Sequence, residues 1–438
     1  MELTDYPTIR VAMCDLNGQM RGKRIPASYA PKLNTGAVRI PLSVINVDVT
    51  GADIENSPLV FDTGDADGVL VPTERGAVPL PWLEVDQPLV PMQLYEDVGV
   101  PFDADPRHAL CQVLDRYAAK GWNVVAATEL EFTLVDDTGD QLGHVRDPRN
   151  GRTVALQDIL SLGHLDAFDE FLSDLYAGAE AMGIPAQTAT SESGIGQFEI
   201  TLHHQDALRA ADDTWLFKAL IRGLARKHGF AATFMAKPFA DDAGNGMHLH
   251  FSVWDKAGQN MLDESTPKGR ARYQAAIAGC ISAMRASTLI FAPHANSYAR
   301  LVPGAHAPTS VCWGYENRTA ALRIPRGPAA MRRIEHRVAG GDTNPYLVFA
   351  AILGAAMTGL DNALTPPPEV TGNAYDQDCP QLAESWTQAI GLFESDPAIA
   401  GIFSPRLIDC MVRMKRQEVL MMQNVPVSDH WKTYLDTT

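Results

Sequence analysis

Two glutamates stand two residues apart inside an apolar run, Val124-Val125-Ala126-Ala127-Thr128-Glu129-Leu130-Glu131-Phe132, and no other feature constrains the chain as strongly. On a strand, residues i and i+2 point to one face, so both carboxylates converge. An edge strand with two solvated glutamates is the plain alternative. The apolar neighbours favour a buried strand, where unpaired carboxylates are costly and a metal is the usual compensation. GMHLHFS repeats the spacing with His248 and His250, after the flexible turn Gly244-Asn245-Gly246. A lone histidine is more often a satisfied core residue; a converging pair shifts the balance toward function. A third segment, SESGIGQFEITL, sets Glu192, Gln197 and Glu199 around Gly194 and Gly196 and ends in an alternating, strand-like run. Carboxylates with an imidazole suit Mg or Mn better than zinc.

A run of arginines follows: Arg300, Arg318, Arg323, Arg326, Arg332, Arg333 and Arg337. A solvated basic face is one reading. The apolar residues Ala320, Ala321, Leu322, Ile324 and Ile334 among them point instead to a half-buried sheet. Arginine there suits bidentate recognition of phosphate or carboxylate. Glu335 lies inside this basic run, where metal ligation explains an acid among cations. Acids for divalent cations and arginines for phosphates are the parts of a phosphoryl-transfer site. No G-x-x-x-x-G-K-[ST] loop is present, so a nucleotide needs another architecture.

The 438 residues carry 36 basic and 53 acidic side chains, a net charge of −17. That balance argues against nonspecific nucleic-acid binding and against anionic membrane surfaces, and it is compatible with cationic substrates such as amines. The six scattered cysteines lack a CxxC pair, which speaks against a disulfide scaffold or a zinc site. No apolar run reaches about 18 residues, and MELTDYPTIR has no apolar signal core. Cytoplasmic residence is the expectation.

Residues 1 to 100 read as β-rich, with strands expected at Ile9 to Met13 and Val44 to Val49, and turns at Asn17-Gly18 and Asp62 to Asp65. A proline-punctuated stretch from Val100 to Pro106 marks a boundary. Helices are expected over Arg107 to Lys120, Leu165 to Met182, Thr214 to His228, Gln274 to Ser287 and Asn344 to Leu364, and through most of the tail from Pro380. Strands are expected at Phe234 to Lys237 and Met247 to Val253. Without regular βαβ alternation the fold class is α+β.

The ordered set TELEF, ESGIGQFEI, ATFMAKPF, GMHLHFS, NSYARLVPG, NRTAALRIP and RRIEHRVAGGDTNPYL resembles the glutamine synthetase family, from about Asp15 almost to the end of the chain. The resemblance implies a small N-terminal β-grasp domain, residues 1–103, and a larger catalytic domain, residues 104–438, with an antiparallel sheet flanked by helices. It implies a homo-oligomer, a dodecamer of two stacked hexameric rings with active sites between subunits. Its cofactors are ATP and two or three Mg2+ or Mn2+ ions. Carried over by motif, Glu131, Glu192 and Glu199 bind the first ion, and Glu129, His248 and Glu335 the second. Arg318, Arg323 and Arg333 contact phosphates, with Arg323 and Arg333 also among the nucleotide contacts. Arg300, Arg337 and the backbone at Gly244 hold glutamate, and His250 and Ser252 lie near the nucleotide.

The chain departs from true glutamine synthetases where the acceptor binds. The family pattern VPG-x-E-A-P reads Val302-Pro303-Gly304-Ala305-His306-Ala307-Pro308 here, so His306 replaces an acidic residue. It is a candidate base for a bulkier amine, beside the bland reading of a loop histidine with no role. The DGSS pattern is replaced by Asp48-Val49-Thr50-Gly51, with Asp48 as candidate acceptor-binding aspartate. An asparagine expected five residues before His248 is Ala243, with Asn245 close by. These departures resemble the glutamate–amine ligase branch, which makes γ-glutamylpolyamines and γ-glutamylamides. The expected activity is ATP-dependent ligation of the γ-carboxylate of glutamate to an organic amine through γ-glutamyl phosphate. The alternatives are an ammonium-using glutamine synthetase and a noncatalytic member.

Overall fold

The computed structural model describes residues 2–305 and 307–438. Among the described residues the strands form two sheets. The N-terminal sheet runs Met20–Pro26, Thr8–Cys14, Pro88–Asp97, Asp67–Pro72, Arg39–Pro41, with Val78–Pro79 and Val100–Pro101 also paired to Pro88–Asp97. It is mixed: Thr8–Cys14 pairs antiparallel with Met20–Pro26 and parallel with Pro88–Asp97. The second sheet has the order Ala186–Ser191, Gln197–Leu202, Trp122–Asp136, Met247–Asp255, Ile334–His336, Leu322–Ile324, Trp313–Tyr315. All pairings in that path are antiparallel except the last.

Trp122–Asp136 alternates as its sequence requires. Val124, Ala126, Leu130, Phe132 and Leu134 are buried on one face, and Glu129 and Glu131 lie on the other. The apolar face meets the helix Ala207–Lys227 and an aromatic cluster in which Phe132 stacks on Phe198 at 5.9 Å. That helix begins seven residues before the expected start at Thr214, because the Asp206 carboxylate caps the Leu208 and Arg209 amides. Behind it, Pro345–Asp361 is almost wholly buried and is capped by Asn344, with Pro345 at its first position. Gly279 and Gly359 let this helix touch Pro267–Met284 backbone to backbone; a Cβ on either would strike the other helix.

Three expected elements differ. Val44 to Val49 is no strand. Leu42–Asn46 is a 3-10 helix, and the Asp48 carboxylate then gathers the Thr50 and Ala52 amides into a turn. The strand near Phe234 is Ala231–Thr233; beyond it the Lys237 amide donates to Asn296 instead of to a ladder. The helix over Leu165 to Met182 is broken at Phe168 into Leu162–Ala167 and Asp169–Met182. All six cysteines are free. No helix among the described residues is long and apolar enough to cross a membrane.

The N-terminal sheet is tied to the rest through a buried ion pair. Lys415 Nζ lies 2.8 Å from Glu418 Oε2, both fully buried, and Glu418 Oε1 accepts from the Val49 amide at 2.8 Å and from Asn17 Nδ2 at 3.0 Å. Removing one member leaves the other charge buried and unpaired. Glu418→Ala should therefore lower unfolding stability by about 3–5 kcal/mol. Arg416→Ala, on the same helix as Glu418, breaks a half-exposed pair with Glu394 of the helix Trp386–Ser395 and should cost at most about 1 kcal/mol. Urea denaturation of both variants checks the contrast.

Candidate active site

Register assembles the site. Glu131 stands opposite Glu199, Glu129 opposite His248, His250 opposite Glu335, and Glu335 opposite Arg323. Five neighbouring strands thus set these side chains across one face of the sheet. His248 Nδ1 lies 3.0 Å from Glu129 Oε2, and His250 Nε2 lies 2.9 Å from Glu129 Oε1. Burial would push the Glu129 carboxyl up, but hydrogen bonds from the two histidines outweigh it and hold it well below the usual carboxylate range.

A cavity of about 320 Å3 opens over this face. Glu129, Glu131, Glu192, Glu199, His248 and Glu335 line it, together with Arg300, Arg318, Arg323, Arg337 and Gly244. Burial and the neighbouring Glu131 push the Glu192 carboxyl up to about 7. Burial and the charges of Glu129, Glu131 and Glu192 push Glu199 up to about 9. Negative charge is therefore in excess in this part of the cavity. Burial would also raise Glu335, but His250 and Arg337 bring it below its ordinary value.

Among the described residues, two groups of three donors have ligand atoms within 4.8 Å of one another: Glu129, Glu199 and His248, and Glu129, His250 and Glu335. Oxygen-rich sets with one imidazole fit Mg2+ or Mn2+, and crowded carboxylates with raised pKa values are what such an ion would relieve. The grouping departs from the expected one. Glu129 belongs to both trios, and His250, expected beside the nucleotide, stands with Glu129 and Glu335. Its Nδ1 is buried without a hydrogen-bond partner among the described residues. Glu131 and Glu192 line the cavity outside either trio, Glu131 accepting the Gly246 amide at 2.5 Å.

The arginines divide. Arg300 and Arg337 are buried; Arg300 donates to the Val338 carbonyl at 2.8 Å and Arg337 pairs with Glu335. Arg323 lies 2.6 Å from Glu335, and Arg318 is exposed at the rim. Arg333 lines a second cavity of about 430 Å3, with Glu129, His250, Ser252, Trp254, His204 and Met331. Gly244 tolerates no side chain, since a Cβ would strike the Ala236 carbonyl and crowd Arg300. Asn245 is a latch: its amide group donates to the Thr233 and Met235 carbonyls and accepts from Thr133 and Gln197.

Asp48 is not brought into either cavity. It accepts bonds from Thr50 and Ala52 in its own loop, and Gln417 Nε2 donates to its second oxygen at 3.0 Å. His306 lies outside the described residues. Sequence reasoning missed Trp254, although the alternation His250, Ser252, Trp254 along one strand carried the signal. It missed His204 and Ile159 too, which sit in non-repeating segments without such a signal.

The family described as glutamine synthetase, catalytic domain, matches residues 103–434. The chain is 36% identical over 434 residues to gamma-glutamylputrescine synthetase PuuA of Escherichia coli (strain K12), covering 97% of this chain and 91% of that one. It is 30% identical over 449 residues to glutamate–isopropylamine ligase of Pseudomonas sp, covering 100% and 96%. The solved structure of a GmaS/ADP complex superimposes with a TM-score of 0.84 at 27% identity, covering 99% of this chain and 97% of that one.

The raised carboxyls fix how the ion-free protein responds to pH. Their stabilising contribution is complete below the ordinary glutamate value of 4.5 and is lost as pH rises through about 7 for Glu192 and about 9 for Glu199. A divalent ion needs the deprotonated forms, so its binding strengthens with pH and releases protons. The melting-temperature gain from saturating Mg2+ should therefore grow from pH 6 to pH 9, and calorimetry in buffers of different ionisation heat should register that proton release.

Proposed function

We propose, from the premise that the chain belongs to the glutamine synthetase family, that it is an ATP-dependent ligase joining the γ-carboxylate of glutamate to an organic amine. The observation that carries this reading is Glu129, which lines both cavities and serves two donor trios while four arginines line the first. Two similar proteins, named for putrescine and isopropylamine ligation, favour an organic acceptor over ammonium.

On this reading, a γ-carboxylate oxygen of glutamate attacks the terminal phosphorus of ATP, and the bond from that phosphorus to the ADP oxygen breaks. The cationic amine first gives up one proton; its nitrogen then attacks the acyl carbon, phosphate leaves, and the nitrogen gives up a second proton as the amide forms. Attack of one anion on another requires offsetting positive charge. Divalent ions held by Glu129 with His248 and Glu199, and by Glu129 with His250 and Glu335, would supply part of it. Arg318 and Arg323 at the cavity wall, and Arg333 in the adjoining cavity, would bind phosphate oxygens bidentately. Arg300 and Arg337, held rigid by burial and by their bonds to Val338 and Glu335, would fix the carboxylates of glutamate. Ser252, with His250 in the adjoining cavity, would face the nucleotide. Glu131 and Glu192 would draw in the cationic amine, and His306 would accept one of its two protons.

The same reading divides the chain at 103/104 into a small β-grasp domain and a catalytic domain. It also assembles the chain as stacked hexameric rings, with Asp48 of one subunit facing its neighbour's cavity.

The wild-type protein should release phosphate with glutamate, MgATP and an organic amine, and mass spectrometry should detect the γ-glutamylamide. Ammonium as the best acceptor would contradict the amine reading. Glu129→Ala, which removes the donor common to both trios, should lower kcat on the order of a thousandfold with the circular dichroism spectrum unchanged.

A further inference from the structure

The charged cavity has one apolar corner. Among its described lining residues the uncharged, nonpolar side chains are Ile159, Ala243 and Ala305, and Ile159 is the bulky one. Ile159 is 56% exposed, and Leu156, Leu160 and Leu162 of the same loop are more exposed still. Exposed apolar side chains gathered on one loop mark a binding surface, and Ile159 is the one of the four that lines the cavity.

The loop is held firmly in that position. The Leu160 amide donates to the Ser191 carbonyl at 2.9 Å and the Ser161 amide to Ser191 Oγ at 2.9 Å, while Ser191 Oγ donates to the Asp158 carbonyl at 2.7 Å. Ser191 is fully buried and directly precedes Glu192. On the other side, Asp242, next to Ala243, accepts from Gln157 Nε2 at 2.9 Å and from the Ile195 amide at 2.7 Å. Leu160 carries a φ of 60°, a left-handed conformation that strains any residue other than glycine. The hydrogen bonds on both flanks keep it there. Three segments are thereby locked together, and they set Ile159 beside Glu192 and the Ala243 corner of the acidic wall.

A rigid apolar side chain next to carboxylates matches a ligand with a cationic head and a hydrocarbon tail. We propose that Ile159 selects the acceptor: it covers the aliphatic carbons of a primary amine whose nitrogen is drawn toward Glu192 and Glu131. This rests on the reading of the cavity as an amine-ligase site. The selectivity arises from tail length, because each methylene removed from water is worth about fourfold in kcat/KM. Ammonium and methylamine leave Ile159 in water, whereas propylamine and butylamine cover it.

The test is kcat/KM for ammonium, methylamine, ethylamine, propylamine and butylamine with saturating glutamate and MgATP. In the wild-type enzyme the butylamine-to-methylamine ratio should exceed about ten. Ile159→Ser should reduce that ratio about tenfold, and Ile159→Leu should retain it. Because the side chain is more than half exposed, neither variant threatens folding. A ratio unchanged by Ile159→Ser overturns the inference and leaves the ligase reading standing. So does an equal loss with every amine accompanied by a changed sedimentation coefficient, which would make the loop a packing surface between copies. Turnover with ammonium alone in the wild type overturns both.

Discussion

Everything at the site depends on the antiparallel pairing of Trp122–Asp136 with Gln197–Leu202 on one side and Met247–Asp255 on the other. The side-chain period of a strand is two, so a slip of one residue would send Glu129, Glu131 and His248 into the hydrophobic core and bring Leu130 and Phe132 to the surface. The burial of Val124, Ala126, Leu130, Phe132 and Leu134 against helices therefore fixes the register. The same register sets Glu129 opposite His248 and Glu131 opposite Glu199. Packing on one face and chemistry on the other are one constraint.

That constraint holds like charges closer than they would choose. Glu192 and Glu199 stand beside Glu129 and Glu131 in a partly buried cavity, and burial together with this repulsion raises their pKa values. The chain offsets part of it with protein groups: the histidines on Glu129, and Arg323 and Arg337 on Glu335. The remainder stays uncompensated on the Glu192 and Glu199 side. A site built to accept multivalent cations has this form, and its residual strain is the expected companion of function.

Much of this was legible in the sequence because it followed a short period. The i, i+2 spacing of Glu129 with Glu131 and of His248 with His250 located two central strands and their common face. Asn344 before Pro345 located the start of the most buried helix, and the clustered apolar residues around Arg323 and Glu335 indicated sheet. A segment without such a period was misread. Val44 to Val49 has strand composition, but the Asp48 side chain competes for the backbone amides and closes a turn. The closeness of His250 to Glu129 and Glu335 depends on register between strands distant in sequence, which no local pattern encodes. Ile159 sits in an aperiodic loop whose position is set by Ser191 and Asp242, and composition alone gave no reason to single it out.

The most direct test of the central claim is anomalous diffraction from crystals grown with Mn2+ and ADP. If Glu129 is the hub, two peaks will appear with a Glu129 carboxylate oxygen about 2.1 Å from each, one also reaching His248 and Glu199 and the other His250 and Glu335. Peaks located away from Glu129, or a cavity empty of manganese under conditions that support turnover, would contradict the account.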